Sequence, residues 1–374
     1  MVFYRGAFAD DWEGDYSILV FYNIAEHVFA GDIPYRDFTF EYPPIALPVF
    51  LLPRLFTSNS LHYQVPFAIE MLIFDLIGLL VIADLSRRLG RSPRIAILTY
   101  TIVAAAGGPL ITERFDVAPA VLVLCAIYAF IRRWHATAWI LLCIAIMLKT
   151  YPIVIAPLFA MYFVKRKEFN PLVKGIMAFG ITLAIIVIPC LCLDVGGFID
   201  SYTYHFDRGL QIESTYASVI LLGSDFGLLD GEMRFDYGAW HMDTPLSDSL
   251  SHASFFIMLL VLAIVYALYT RHKKSMNNIE EDTLLINYAV LAVLAFMLTS
   301  KVLSPQYIIW IYPLIPAVAG QWRIACIMLF VNIGVLTYYI YPENYGDLLV
   351  RKSEIIYILF ARNVLLLILP FGLI

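Results

Sequence analysis

Charge is what this chain has least of, because Asp, Glu, Lys and Arg together make up only 15% of its 374 residues. A typical soluble domain carries about 25% charged residues. The hydrophobic share is 61% and the mean hydropathy is +0.78, which is more apolar surface than a water-soluble fold can bury. These values predict an all-α polytopic membrane protein. The net charge of −5 is spread over the loops, so it indicates no acidic or basic partner and no nucleic acid.

The chain also lacks the marks of several kinds of site. Its five cysteines, an odd number, lie in or at the ends of apolar runs, which favours buried hydrophobes over a disulfide framework or a metal site. No glycine-rich phosphate loop follows a strand, and no strand pattern is visible. A soluble domain that binds a sugar nucleotide is therefore not expected. A lipid-borne sugar donor would need no such domain, because the bilayer delivers it.

Apolar runs account for most of the remaining sequence. A helix needs about 20 apolar residues to cross a hydrocarbon core of about 30 Å, and several of these runs are shorter. We expect eleven crossings, at residues 65–86, 95–110, 116–132, 136–149, 152–164, 175–193, 253–270, 283–300, 306–319, 322–341 and 354–374.

Basic residues set the orientation of these crossings. Clusters follow the first, third, fifth and seventh runs, so alternation places all four on one side, which is then cytoplasmic. The outer side receives residues 1–64 and the long loop 194–252. The clusters are Arg87, Arg88, Arg91 and Arg94; Arg132 and Arg133; Lys165, Arg166, Lys167 and Lys174; and Arg271, Lys273 and Lys274.

Two short segments of the first outer loop are mixed in character. Residues 45–56, IALPVFLLPRLF, hold two prolines and an arginine, and residues 16–30 are equally short. Counting 45–56 as a crossing would move the Arg87 cluster outside, so we expect both segments to be helices in the membrane interface. The N-terminus then starts outside, for which we favour a preceding span missing from this chain over unaided translocation.

Lys149 and Lys301 are the most unusual charges. Each closes an apolar run and is followed at once by a turn and another apolar run, in MLKTYPIVIAPL and LTSKVLSPQYIIWIYPL. Cations near the membrane core face a cavity or a partner, although a lysine can also snorkel to the headgroups. Two lysines pointing into an outer cavity, with Tyr151 and Gln306 just beyond them, would suit an anionic phosphate.

The long outer loop holds a second polar group, HFDRGLQIEST at residues 205–215. His205, Arg208, Gln211 and Glu213 could bind a phosphate and sugar hydroxyls, or they could form an ordinary solvated loop. The first apolar run also contains Glu70, Asp75 and Asp84, and Asp75 lies deepest of the three. We expect it to be structural, and either hydrogen-bonded or protonated, because a bare carboxylate is costly there.

Four segments together resemble glycosyltransferase family 87, within the GT-C superfamily. They are GDYSILVFYNIAEHVFAGDIPYRDFTFEYPP, LKTYPIVIAPL, HFDRGLQIES and KVLSPQYIIWIYPLIPA, and they run in the family's order from residue 14 to about residue 317. The resemblance implies a GT-C-type bundle and an inverting transfer of a sugar from a polyprenyl-phosphate donor to a lipid or glycan hydroxyl. Mannose is the favoured sugar. The site would lie on the extracytoplasmic face of the cell membrane.

The resemblance also implies roles for individual residues. Asp15 matches the family's acidic catalytic residue, Asp11 is its close rival, and the span that usually precedes this residue is absent here. Segment 34–44, which contains Arg36, would be a rigid return with Glu41 and Tyr42 facing the cavity. Lys149, Arg208 and Lys301, assisted by His205, would hold the donor phosphate. No cofactor or metal is expected, although a divalent cation stays open.

Two other classes of function remain open at this point. A transporter or flippase of a lipid-linked or anionic substrate places its polar site near the membrane midplane, often between repeated halves. In this chain the polar residues gather at one side, and no repeat is visible. A structural membrane subunit would not need two lysines in tight outer hairpins. The enzyme is therefore the favoured interpretation.

Overall fold

A computed structural model describes residues 16–272 and 277–374, and these are overwhelmingly helical. The predicted all-α character is confirmed. The helices are α1 (Tyr16–Ala30), α2 (Ala46–Arg54), α3 (Ser60–Arg88), α4 (Pro93–Ala106), α5 (Leu110–Glu113), α6 (Val117–Ile131), α7 (His135–Leu148), α8 (Ala156–Arg166), α9 (Phe169–Leu193), α10 (Val195–Asp207), α11 (Thr215–Asp225), α12 (Pro245–Arg271), α13 (Asn278–Thr299), α14 (Arg323–Ile340), α15 (Tyr345–Leu349) and α16 (Ser353–Ile368).

Six helices within the described residues are long and apolar enough to cross a membrane. They are α3, α9, α12, α13, α14 and the stretch that begins with α16. The runs expected at 95–110, 116–132 and 136–149 form shorter apolar helices, namely α4, α6 and α7. The structure therefore confirms a multi-pass helical protein, while the count of eleven crossings stays a prediction.

Two of the predicted crossings are not single α-helices. Run 152–164 begins with a 3₁₀ turn, Tyr151–Ile155, that leads into α8, and run 306–319 holds two 3₁₀ turns, Pro305–Trp310 and Ile315–Ala317. Proline lies at the start of each of these 3₁₀ turns, where its missing N–H and fixed φ suit a tight turn but not the interior of an α-helix. Hydropathy alone cannot register this difference.

The helices divide into inner and outer positions. In α13, 78% of the most apolar stretch is buried inside the protein, whereas in α9 only 6% of the corresponding stretch is buried. Helices α6, α7 and α13 form the inner core, because most residues of each are buried. An apolar helix with as little buried surface as α9 needs lipid around it.

The inner helices connect two chemically different ends of the bundle. Asp116 precedes α6 and Arg132 follows it, whereas Arg133 precedes α7 and Lys149 follows it. An ion pair of 3.1 Å between Arg133 Nη2 and Asp282 Oδ1 joins the start of α7 to the start of α13. Basic residues thus gather at one end, and the acidic and lysine residues of interest lie at the other.

Members of three of the clusters that were predicted to share one side of the membrane meet at that basic end. Arg88 and Arg132 each lie 3.5 Å from the carboxylate of Asp84, and Arg166 pairs with Glu281 at 2.5 Å. The placement of these residues at one end agrees with the prediction, whereas Lys273 and Lys274 of the fourth cluster lie outside the described residues. Which side of the membrane that is stays a prediction.

The long loop 194–252 contains a small sheet, and the expectation of no strands was wrong here. Strands β1 (Leu210–Gln211), β2 (Met233–Asp236) and β3 (Ala239–Met242) pair antiparallel in the order β1–β3–β2, with Gln211 opposite His241. The strands are two to four residues long, too short to show an alternating pattern in the sequence. They fix the polar segment that follows α10.

The two short helices predicted in the first outer loop are present as α1 and α2. Phe21 stacks on Phe50 at 4.4 Å, and both rings contact Phe115. Segment 34–44 returns the chain between them, with the Tyr35 hydroxyl donating to the Tyr42 carbonyl at 2.8 Å. Gly197 of α10 packs on the Tyr35 carbonyl so closely that a Cβ would clash.

Asp75, expected to be structural, is hydrogen-bonded inside the bundle. Its Oδ1 accepts from the hydroxyls of Tyr100 at 2.9 Å and Tyr312 at 2.7 Å. These bonds tie α3 and α4 to the segment with the 3₁₀ turns, which confirms that the deepest carboxyl of α3 has partners.

Candidate active site

A cavity of about 1130 Å³ opens at the end of the bundle opposite the basic clusters. Its walls come from the first outer loop, the ends of the inner helices, the long loop with its sheet, and the segment after α13. The cavity therefore collects residues that are as far apart in the sequence as Ser17 and Leu349. Its lining combines carboxylates, cations and aromatic rings, which is typical of a site that binds a polar substrate with an apolar part.

Asp116 lies at the centre of one wall. It is 1% exposed, and its Oδ1 accepts from Lys149 Nζ at 2.5 Å and from Trp310 Nε1 at 2.6 Å. These three residues belong to the start of α6, the end of α7 and the 3₁₀ turn after α13. The Lys149 ammonium also lies 4.7 Å from the centre of the Phe115 ring. Lys149 is thus a paired cation in an aromatic surround.

Three aromatic rings form a stack beside this pair. Trp310 lies between Tyr151, at 4.2 Å with an interplanar angle of 2°, and Tyr307, at 3.7 Å with an angle of 25°. The Tyr151 hydroxyl is buried and has no hydrogen-bond partner among the described residues. All three residues line the cavity. Tyr151 and Trp310 are buried, so Tyr307 is the ring that offers an apolar face next to the charged groups.

Arg208 and Lys301 supply positive charge on a second wall. Lys301 Nζ donates to the Phe206 carbonyl at 2.6 Å, and neither cation forms an ion pair within the described residues. The Arg208 Nε is buried without a hydrogen-bond partner there. Partial burial, and then the nearby Arg208, lower the pKa of the Lys301 ammonium. This wall holds positive charge that no protein carboxylate among the described residues neutralises.

Gln211 anchors this wall. Its side-chain Oε1 accepts from the Leu303 amide and from the Ser304 hydroxyl, both at 3.1 Å, and its own backbone amide donates to the Lys301 carbonyl at 3.0 Å. The side chain is therefore used to hold the segment after α13 against β1. Its contribution to the cavity is chiefly to fix the position of Lys301.

Glu213 is the most buried carboxyl of the long loop, with 2% of the residue exposed. Arg362 Nη2 donates to its backbone carbonyl at 2.8 Å, and the Tyr345 hydroxyl donates to its carboxylate. Its Oε2 has no hydrogen-bond partner among the described residues. Loss of hydration on burial raises the pKa of Glu213 to about 7, against the attraction of Arg362 and Arg208.

Arg114 lies two residues before Asp116 and is 4% exposed. Its Nη2 donates to the Tyr341 hydroxyl at 2.7 Å, and its guanidinium lies 5.4 Å from the centre of the same ring. Both residues line the cavity. They connect the wall formed by Asp116 to the segment that carries Tyr345.

The structure brings together most of the residues that the sequence singled out, although it does not test their roles. Arg36 lies apart, exposed and paired with Asp37 at 2.9 Å. His205 belongs to α10, and Asp11 and Asp15 lie outside the described residues. The predicted residues that line the cavity are Glu41, Tyr42, Lys149, Tyr151, Arg208, Gln211, Glu213, Lys301 and Gln306.

Arg114 and Asp116 are not among the site residues predicted from the sequence. Their spacing is a usable signal, because ERFD ends directly before α6, a helix with most of its residues buried. A carboxylate at that boundary needs a buried partner. Nothing in the sequence pattern indicated Tyr307, Trp310 or Tyr345, whose neighbours come from distant segments.

Within residues 16–272 and 277–374, no group of three or more His, Cys, Asp or Glu side chains is placed to hold a metal ion. The chemistry that the cavity's described residues offer is charge, hydrogen bonding and aromatic contact. The cavity can hold an anion near Arg208 and Lys301, pack a ring against Tyr307, and exchange a proton at a carboxyl group.

The sequence model of glycosyltransferase family 87 matches residues 38–305 of the chain. The match covers more than two thirds of the 374 residues, and it includes the ends of α6 and α7, the long loop and Lys301. No curated protein matches the chain.

Proposed function

The chain belongs to glycosyltransferase family 87, and from this premise we propose that it moves a sugar from a polyprenyl-phosphate donor to a lipid or glycan hydroxyl. The family resemblance favours mannose as that sugar. The transfer inverts the anomeric centre and takes place on the extracytoplasmic face of the cell membrane. The observation that carries the proposal is the cavity, which joins unneutralised cations to carboxyl groups at the end of an apolar bundle.

The donor phosphate is held by Arg208 and Lys301 in this proposal. Both line the cavity and neither is ion-paired within the described residues. A departing phosphate needs charge stabilisation more than it needs an acid, and fixed cations in a site with little water supply it. Lys149 is a weaker candidate than its sequence suggests, because Asp116 already meets its charge.

The sugar and the acceptor occupy the space beside the stacked rings. The C–H faces of a hexose are apolar and pack on flat aromatic side chains, whereas the hydroxyls need polar partners at the rim. Tyr307, the outer ring of the stack, offers the flat surface, and Glu41, Gln306 and Glu213 offer polar groups near it.

Inverting transfer needs a group that accepts the proton of the acceptor hydroxyl. The family resemblance assigns this role to Asp15, with Asp11 as the alternative. Support comes from Ser17, which lies at the start of α1 and lines the cavity. Segment 34–44 then positions Glu41 and Tyr42 on the same wall.

The sidedness of the site rests on the basic clusters. They lie at the end of the bundle that does not carry the cavity, and the positive-inside rule makes that end cytoplasmic. The eleven proposed crossings, with α1 and α2 in the interface, place the cavity at the outer surface. Its partners there are the polyprenyl-phosphate sugar, the acceptor and the surrounding lipids.

The test is transfer by the purified full chain from a radiolabelled polyprenyl-phosphate sugar to membrane lipids. We expect labelled lipid or glycan product from the wild type, and a fall of about two to four orders of magnitude with Asp15→Asn. Asp11→Asn should be much milder. Loss with Asp11→Asn and near-normal transfer with Asp15→Asn would move the base to the other aspartate. Uptake of the donor into vesicles without transfer would indicate a transporter instead.

A further inference from the structure

The proposed mechanism does not specify whether the carboxyl group of Glu213 is protonated or ionised. Its carboxylate forms no ion pair within 4.0 Å among the described residues, although the residue is almost wholly buried. The buried Arg362 bonds its backbone carbonyl and not its carboxylate. An ionised carboxylate in such a place is costly unless it is paired.

The carboxyl group of Glu213 is only partly satisfied by the protein. The Tyr345 hydroxyl contributes a hydrogen bond to the group. Its Oε2 has no hydrogen-bond partner within the described residues, and Glu213 lines the cavity. A buried polar atom is rarely left unpaired in a native protein, so the orphaned Oε2 indicates that a ligand supplies its partner.

The groups around Glu213 come from four segments. Arg208 follows α10, Tyr345 lies on α15, Arg362 lies on α16, and Tyr307 lies on the 3₁₀ turn after α13. The proposed phosphate position is beside Arg208. Two anions side by side, the phosphate and an ionised Glu213, would repel each other in a site with little water.

We infer that Glu213 is protonated in the complex with the sugar donor and gives a hydrogen bond from Oε2 to the donor phosphate. The inference rests on the proposed function, because the position of the donor phosphate beside Arg208 is part of that proposal. Binding then takes up a proton whenever the free protein carries an ionised Glu213. Burial places the pKa of the free carboxyl at about 7, so this uptake falls in the neutral range.

The protonation of Glu213 makes donor binding depend on pH. Below pH 7 Glu213 is already protonated and no proton is taken up, whereas above pH 7 each binding event must first protonate it. Donor affinity should therefore fall as the pH rises, by about tenfold between pH 6 and pH 8. Proton uptake should rise toward one per donor bound over the same range.

The experiment is titration calorimetry of the full chain in nanodiscs with a short-chain polyprenyl-phosphate sugar. This phosphodiester keeps its single negative charge throughout the neutral and mildly alkaline range. Buffers of different ionisation enthalpy give the number of protons taken up. Glu213→Gln, which can still donate a hydrogen bond, should keep the affinity seen at pH 6, vary by less than about twofold with pH, and take up no proton.

Two matched variants isolate Glu213, and a third shifts its titration. Glu232→Gln changes an exposed carboxyl of the same loop and should behave as the wild type. His252 also lines the cavity, so His252→Gln tests the imidazole as a rival site that accepts the proton. Tyr345→Phe removes a bond that favours the ionised form, so it should move the uptake to higher pH.

The outcomes separate the inference from the proposed function. A wild type that binds the phosphodiester without proton uptake, at an affinity independent of pH, overturns the role of Glu213 and leaves the donor site intact. Uptake that disappears in His252→Gln and persists in Glu213→Gln also overturns it. No binding by the wild type at any pH contradicts the proposed function itself. If Glu213→Gln does not fold, Tyr345→Phe still tests the inference. A shift of proton uptake to higher pH supports the role of Glu213, and no shift or a shift to lower pH contradicts it.

Discussion

Lys149 and Lys301 occupy similar sequence settings, but the structure surrounds them differently. Each follows an inner helix and precedes a 3₁₀ turn that begins at or next to a proline. Lys149 contacts the carboxylate of Asp116 at 2.5 Å and faces the Phe115 ring. Lys301 instead donates to the backbone carbonyl of Phe206.

The difference separates a structural cation from an available one. The charge of Lys149 is balanced within the protein, and its partner Asp116 also holds the Trp310 indole. A carbonyl only orients the Lys301 ammonium, so the charge of Lys301 remains for a ligand. An anion in the cavity should therefore be attracted to the wall with Arg208 and Lys301 more than to the wall with Lys149.

The largest effect should come from removing the centre of the paired wall. Asp116→Ala leaves the Lys149 ammonium without a counter-charge and the Trp310 N–H without an acceptor. Removing one partner of a buried pair costs about 3–5 kcal/mol of unfolding free energy. Unfolding in mixed detergent micelles, followed by Trp fluorescence, measures this loss.

The matched control is Asp207→Ala, which removes a carboxylate near Lys301 that forms no ion pair with it among the described residues. We expect a change of less than about 0.5 kcal/mol for this exposed side chain. Equal losses for the two aspartates would erase the distinction between the two lysines.

The second effect concerns donor binding. Lys301→Met removes a cation from the unneutralised wall, and hydrogen bonds to charged groups contribute about 1.5–3 kcal/mol. We therefore expect donor affinity to fall by about 10- to 100-fold. Calorimetry with the same phosphodiester measures the affinity.

Lys352→Met serves as the control for Lys301→Met. Lys352 lies at the same end of the bundle and pairs with Asp347 at 2.7 Å on the surface, so its loss should leave donor affinity unchanged. Normal affinity in Lys301→Met would place the phosphate elsewhere in the cavity.

The sequence predicts those features of the molecule that depend on neighbouring residues, and it misses those that depend on residues far apart in the chain. Hydropathy and the basic clusters predicted a helical membrane protein with its clusters at one end, because these are properties of long segments. Lys149 and Lys301 were also found, since a charge at the end of an apolar run is visible locally. The strands at 210–242 were missed because two to four residues carry no readable period.

Partners across the chain were beyond the reach of the sequence. Asp116 and Trp310 are separated by 194 positions, and Lys149 lies between them. No local pattern shows that these three side chains meet, so Lys149 appeared equivalent to Lys301. The orphaned Oε2 of Glu213 was equally hidden, because it depends on the placement of Tyr345 and Arg362 on other helices.

A double-mutant cycle sharpens the comparison by measuring the pairing itself. Lys149→Met and Asp116→Asn should each destabilise, since each removes one charge of the pair. The double variant should cost less than the sum, by about 0.5–3 kcal/mol of coupling. The amide oxygen introduced by Asp116→Asn would still accept from Trp310, so the cycle isolates the charge interaction. Strict additivity would show that the 2.5 Å contact contributes nothing to folding.

The smallest effect is the pH dependence of the available cation. Burial and the neighbouring Arg208 lower the pKa of Lys301, so its ammonium loses its proton at a lower pH than an ordinary lysine does. Donor affinity should then decline on the alkaline side, because the neutral amine no longer attracts the phosphate. Arginine stays protonated throughout this range, so Lys301→Arg should remove the decline. The measurement is donor affinity from about pH 8 to about pH 10 in the Glu213→Gln background, which removes the other proposed titration. We expect donor affinity to decline over this range with Lys301 and to stay flat with arginine at this position. Equal profiles for lysine and arginine would mean that the ammonium does not contact the donor, and Lys301 would then join Lys149 as a cation that serves the fold.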